Sequence, residues 1–305
     1  MAEKAMEMTL KTGYYGRQRG ARLLIHLIVI GVALLMLFPF WLIISVSFTD
    51  NLDLARNGYQ LIPKQISFAA YDYLFRVPQQ LIKAYGVTIF VTFFGTSIGI
   101  LTMSMLGYGM TRLVGKTRRV AVLFVLFPVL FSGGLIPFYL VMTQMYKLKD
   151  TITALVFPYL VSPFYVLLLR SYFAQLPQEI IEAAKMDGAS EFRTFFQIII
   201  PLSTPVLATI GLFTALGYWN DYWLALLFIA KSPYKPLQLL LFNMLNNVEV
   251  LTRTPEAAAQ TAGILPPVEP LRMAMAVVAA GPGVIFSLAL GRYFVRGITL
   301  GAISK

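Results

Sequence analysis

Tyr218-Trp219-Asn220-Asp221-Tyr222-Trp223 is the densest polar and aromatic cluster in the chain, and it lies within an otherwise apolar run. Aromatic faces stack on the CH faces of sugar rings, and amide groups bind their hydroxyls. The same residues also suit a belt at a membrane interface, where amphipathic rings settle. A carboxylate inside an apolar span is costly unless paired or wetted, so Asp221 is expected to face protein or water. Gly133 and Gly134, followed by Pro137, form a second feature: an interrupted helix beside a path, or a packing notch with a kink. Reactive groups are scarce. The chain has no cysteine, its single histidine is His26 at the head of an apolar run, and no acid–base pair or nucleophile constellation stands out. No catalytic residue and no metal ligand is therefore assigned. The phosphate-cradling pattern GxxxxGK[ST] is also missing, so the chain does not itself supply the usual ATP-binding loop.

The elements that must hold these residues follow from composition. The chain of 305 residues is 58% hydrophobic and 13% charged, with a mean hydropathy of +0.71. Globular chains sit nearer 45–50% apolar and about 25% charged. The apolar residues fall in six long blocks separated by short basic or Pro/Gly-rich pieces. A span needs roughly 20 such residues, because each helical residue advances about 1.5 Å across a core about 30 Å thick. Lipid offers no water to the backbone, so each block is expected to be a helix. The spans are placed at about 23–48, 81–110, 120–142, 153–172, 205–229 and 271–294. Kinks are expected at Pro128, Pro137, Pro158, Pro163 and Pro282. The first block has a basic flank, but it is long and lacks a small-x-small cleavage pattern before Asp50, which favours a retained helix over a leader. In span two, Thr92, Thr96, Ser97 and Thr102 are expected to satisfy contacts between helices.

The net charge of +11 invites a nucleic-acid reading. The basic residues instead sit between apolar blocks, so no nucleic-acid partner is expected. Arg112, Lys116, Arg118 and Arg119 crowd one short segment, which marks it as cytoplasmic and puts both termini on the same side. The expected fold is an all-α polytopic membrane protein: a basic tail at 1–22, a six-helix domain at 23–294, and a short tail at 295–305, both tails cytoplasmic. Segments 49–80 and 231–270 are then the long outer loops, large enough for a lid or a docking surface. Asn243, Asn246 and Asn247 of the second are candidates to meet an external protein.

The inner segment 175–205 reads QLPQEIIEAAKMDGASEFRTFFQIIIPLSTP. Pro177 can open a helix, since its missing N–H falls where no helical partner exists. Glu179 and Glu182 favour the positive end of that helix. Gly188 allows a tight turn, and a second helix from Ser190 through Ile200 carries Phe192, Phe195, Phe196, Ile199 and Ile200. Such a hairpin either lies flat on lipid or docks into a soluble partner; the small pair Ala183-Ala184 beside Gly188 favours docking.

Glu182-Ala183-Ala184, then Gly188, Ile198 and Ile200-Pro201 at fixed offsets, resembles the EAA loop of permease subunits in bacterial ABC importers, with Ile200 where that family usually has Leu. The resemblance covers most of the chain. Phe131 to Tyr139, Tyr218-Trp219-Asn220-Asp221 and the tail from Tyr293 to Ile298 are similar to the sugar-importer branch, in particular the six-helix second permease of maltose-type systems. It implies the type I ABC importer permease fold in the bacterial inner membrane. It implies that Glu182, Ala183, Ala184, Asp187, Gly188 and Arg193 couple to an ATPase, and that Tyr218, Trp219, Asn220, Asp221, Tyr222, Gly133 and Gly134 line the substrate path. It implies a second, distinct homologous permease, two cytoplasmic ATPase subunits, an extracytoplasmic solute-binding protein, and a sugar cargo. The chain itself would bind no cofactor; ATP and Mg would sit on the ATPases. The cargo reads as an oligosaccharide or complex sugar, with acidic ones included because the outer segments carry scattered lysines and arginines. Three other readings remain: an importer permease for a non-sugar solute, an ion-coupled secondary transporter, and a non-transporting membrane scaffold.

Overall fold

The computed structural model describes residues 2–253 and 267–302. Pro255 and Pro266 of the second outer segment, and Lys305 of the tail, lie outside the described residues. Among those described the chain is helical, with one isolated bridge between Thr49 and Ile66. Helix α1 runs Ala2–Ser47, so the expected tail has helical backbone from Ala2 onward; its Ala, Glu, Lys, Met and Leu residues are good helix formers. After α2 (Asn51–Asn57) and α3 (Ala69–Leu74), α4 spans Pro78–Arg112. The last long helix, here α15, is Val268–Ala302.

Spans three to five depart from single helices. Span three is α5 (Gly115–Leu130) and α6 (Leu135–Leu140, widening through Val141–Met145), which meet at 109°. The break falls at Phe131–Gly134, where Gly134 has φ +82 and Pro137 enters the first turn of α6. Span four is α7 (Thr153–Val156), a tight turn at Phe157–Tyr159, and α8 (Pro163–Phe173), bent by 47°. Pro163 opens α8 at a position that needs no N–H. Span five ends α12 (Thr204–Trp219) before its expected limit, and α13 (Trp223–Phe228) follows a three-residue break. The 16 residues of α12 cover only about 24 Å. Among the described residues three helices are long and apolar enough to cross a bilayer, and up to six crossings result when each bent pair is one span, the third pair being Glu191–Leu202 with Thr204–Trp219 at 81°.

The chain divides into two compact units, residues 1–74 with 261–277 and residues 75–260 with 278–305. In the first, segment 49–80 is folded over the end of α1 as far as Leu74. Asp50 caps α2 by accepting from Leu52 and Asp53 N–H, Phe48 stacks on Tyr71 at 4.8 Å, and Trp41 Nε1 donates to the Leu61 carbonyl at 2.9 Å.

In the second unit α4 is the central post, packed by α8, α5, α12 and α14 (Leu237–Arg253). One apolar cluster near its C-terminal end joins Met103, Tyr108, Leu169, Phe173, Ile181 and Phe195; another, toward its N-terminal end, joins Val91, Met142, Leu155, Tyr218, Phe228 and Leu239. Close approach is made possible by Gly95: a Cβ there would stand 2.5 Å from the Tyr218 ring. Among the described residues, the span-two hydroxyls of Thr92, Thr96 and Thr102, expected to serve contacts between helices, make no side-chain bond across to another helix. Thr102 donates to the Ile98 carbonyl of its own helix, and Thr92 and Thr96 have buried hydroxyls without a partner. Thr92, Thr96 and Ser97 instead line an apolar cavity of about 330 Å³ with Phe93, Leu212 and Trp219.

Residues 237–253, expected in a proline-rich loop, form the helix α14. Leu237, Leu241 and Val248 recur at helical spacing and are buried along α14, while Asn246 and Asn247 are exposed. The N–H of Leu237 is held by Thr88 Oγ1 at 2.8 Å. A turn at Lys147–Asp150, both with positive φ, is pinned across from it: Asp150 Oδ1 accepts from Ala230 and Lys231 N–H at 2.7 and 2.8 Å.

Candidate functional site

The inner hairpin is built from two helices that turn on Gly188. Helix α9 (Gln178–Met186) begins after Pro177 with Glu179 in its first turn. It ends in a Schellman arrangement: Ala189 N–H donates to Ala184 at 2.9 Å and Gly188 N–H to Lys185 at 3.0 Å. Gly188 sits at φ +80, a left-handed conformation that costs an L side chain about 1–2 kcal/mol. Ser190 caps the next helix, α10 (Glu191–Thr194), by accepting from Arg193 N–H. The chain then widens through Phe195–Ile199 and returns to α12 through α11 (Ile200–Leu202).

Two faces result. Ile181 and Ala184 are buried, as are Phe195 and Ile199, so this side joins the core around Phe173. Glu182, Ala183, Asp187, Gly188 and Arg193 are exposed, with Met186 89% and Phe192 66% accessible beside them. Of the six residues expected to couple to an ATPase, five are on the open face. Ala184 is the exception: its small side chain lets α9 approach the core.

Residue-by-residue reading of the motif missed what holds this hairpin in place. Glu191 accepts from Tyr108 at 2.7 Å, and its other oxygen lies 2.6 Å from Lys185 Nζ. Arg112 stands 3.8 Å from the same carboxylate and 4.8 Å from the centre of the Tyr108 ring. Glu191 thus joins both hairpin helices to the end of α4. The hydrogen bond from Lys185, then that from Tyr108, holds its carboxyl below the usual carboxylate range. The available signal was a lone acid at the start of a helix with Lys185 before it and Arg112 in the basic segment.

The path cluster is split by the end of α12. Tyr218 and Trp219 are each 3% accessible and turn inward. Tyr218 OH donates to the Val156 carbonyl at 2.8 Å and Trp219 Nε1 to the Ala279 carbonyl at 2.9 Å. Asn220 closes the helix by donating to the Leu216 carbonyl, and Tyr222 stacks on Phe242 at 5.4 Å. Asp221 is half-buried and paired, as expected of a carboxylate in a span: Tyr159 OH donates to it at 3.2 Å and the Leu224 N–H approaches both its oxygens. Gly133 and Gly134 form a helix break and not a packing notch within this chain, since a Cβ on either would meet nothing within 4 Å.

Residues 95–300 match the family described as binding-protein-dependent transport system inner membrane component. Protein LplC of Bacillus subtilis (strain 168) is 37% identical over 273 residues, covering 90% of this chain and 91% of that protein. The polygalacturonan/rhamnogalacturonan transport system permease protein YtcP of the same organism is 33% identical, over 92% of this chain and 97% of its own length. Among solved structures, a bacterial ABC transporter involved in the import of the acidic polysaccharide alginate matches with a TM-score of 0.77. It is 27% identical, over 89% of this chain and 95% of that one.

Proposed function

Because this chain belongs to the family of binding-protein-dependent transport system inner membrane components, we propose that it forms half of the translocation path of an ATP-driven importer for oligosaccharides or complex sugars. Its all-helical, multi-pass architecture is that of a type I ABC importer permease, a non-catalytic subunit of the inner membrane. The observation that carries the reading is the inner hairpin. It has a Gly188-centred turn, an open face with Glu182, Ala183, Asp187, Met186 and Phe192, and a back anchored through Glu191 to α4. A surface so shaped suits a soluble partner better than lipid, because acids and apolar side chains are interleaved on it.

In this reading both termini are cytoplasmic. Two ATPase subunits, which hold ATP and Mg, seat the hairpins of this chain and of a second, distinct homologous permease. ATP closes the ATPase pair, and α9 carries the displacement to α4 through the Lys185–Glu191–Tyr108 contacts. The path then opens outward to a solute-binding protein. Only ligands with different affinity for the two states can drive such a cycle, and ATP and the loaded binding protein have that role. The sugar cargo is supported by relatives named for polysaccharide transport.

The test is ATP hydrolysis by this chain co-purified in lipid with its ATPase and companion permease. Candidate binding proteins are added one at a time, each loaded with a saccharide. At least a fivefold stimulation by one loaded protein, lost in Gly188→Pro, is expected. An ion-coupled transporter is the answer instead if no ATPase co-purifies and the Gly188→Pro chain still moves solute under an ion gradient.

A further inference from the structure

A cavity of about 450 Å³ opens between the turn that joins α7 to α8 and the outer half of α12. That is within the range of small-molecule sites, ~300–1,000 Å³. Its wall includes Pro158, Tyr159, Ser162, Tyr165, Thr214 and Tyr218. Three tyrosines and two hydroxyl side chains in one pocket are unusual for a surface that meets only lipid, where polar groups are satisfied within the protein.

The wall has three kinds of group. The Tyr159 ring is 41% accessible, so one aromatic face is free to stack. Its position is fixed: the hydroxyl is tied to Asp221 at 3.2 Å and the ring edge packs on Tyr218 at 6.0 Å. Ser162 and Tyr165 are half-buried and bring two hydroxyls to the wall. Finally, charge is one-sided. No lysine, arginine or histidine lines the cavity, and the ionisable group bonded to its wall is the Asp221 carboxylate.

We propose that this cavity is a saccharide subsite on this half of the path, and that it takes an uncharged sugar ring and not a uronate. The ring's CH face lies on Tyr159 and its hydroxyls reach Ser162 and Tyr165. A sugar carboxylate there would lie against the tyrosine that holds the Asp221 carboxylate, with no cation among the lining residues to offset the repulsion. The proposal rests on the importer reading, and it separates this chain's preference from the acidic cargo of the alginate importer it resembles.

The experiment uses the assembled importer in nanodiscs, with no binding protein. Saturation-transfer NMR reads contact with maltotriose, arabinotriose or trigalacturonate as separate probes. At least one neutral trisaccharide should give a signal, cut fivefold or more by Tyr159→Ala and by Ser162→Ala. Tyr159→Phe keeps the ring and should retain at least a third of it, which guards against simple misfolding. Trigalacturonate should give none in the native protein and should gain one in Ser162→Arg. Contact with trigalacturonate equal to that of the neutral sugars overturns the proposal, as does a neutral signal unmoved by both substitutions, or no signal from any probe. If the same preparation still answers a loaded binding protein with ATP hydrolysis, those failures sink the subsite and leave the importer reading standing.

Discussion

The inner hairpin and the break after α12 present their polar residues in opposite senses. On the hairpin Glu182, Asp187 and Arg193 face outward, and the apolar Ile181 and Ala184 hold it from behind. At the break Tyr218 and Trp219 face inward, and their polar atoms end on the Val156 and Ala279 carbonyls. The difference is one of solvent. Outside the apolar spans water satisfies any polar group, so an exposed acid is available for a partner. Within them each N–H and O–H must find protein first. A motif on the loop therefore describes a contact with another molecule, whereas a polar cluster in a span first describes the chain's own packing.

The largest expected effect tests the packing side. In Gly95→Leu the new side chain would collide with the Tyr218 ring, and overpacking of this kind costs about 1–3 kcal/mol. The detergent-solubilised complex should unfold at a clearly lower temperature, and an unchanged midpoint would remove Tyr218 from the packing role. The hairpin should behave otherwise. Phe192 is 66% accessible, so Phe192→Ser should leave the unfolding free energy within about 0.5 kcal/mol. Its ATPase affinity, measured by titrating the subunit onto immobilised permease, should fall about tenfold, which is ~1.4 kcal/mol. A destabilised protein with normal ATPase binding would reverse the contrast between the two regions.

Much of this was legible in the residues, and what was not has common causes. Apolar run lengths placed the spans, because lipid thickness and helical rise leave little choice. The hairpin was legible because Pro177, Gly188 and Ser190 each have a local conformational job that neighbours do not override. The bends of spans three, four and five were harder. Proline and glycine mark where a helix is weak, but whether Phe131–Gly134 becomes a kink or a 109° corner depends on what packs around it. The helix at Leu237–Arg253 was hidden by the prolines flanking it, although Leu237, Leu241 and Val248 already had its period. Tyr159 and Thr214 were missed because the cavity that joins them to Tyr218 is formed by residues about 55 apart, from different spans.

The smallest effect probes the one place where the hairpin uses charge for its own support. Glu191 is 49% accessible at its side chain, so its pairing with Lys185 is screened by water and is worth about 0.2–1 kcal/mol, as for exposed pairs. Its carboxyl is held below the usual range by the Lys185 and then the Tyr108 hydrogen bond. A pKa depressed by folding adds stability that is present in full above the unfolded value, about 4.3 for Glu, and is lost as pH falls through the folded one. Glu191→Gln should therefore lower the unfolding midpoint slightly at pH 7, and the gap to the native protein should close below about pH 4. The same substitution should reduce sugar moved per ATP hydrolysed more than it reduces stability, since α9 would then lose its ionic link to α4. A midpoint gap that persists unchanged into acid would mean that Glu191 acts through shape and hydrogen bonding alone, and the hairpin would then be held in place as Tyr218 is.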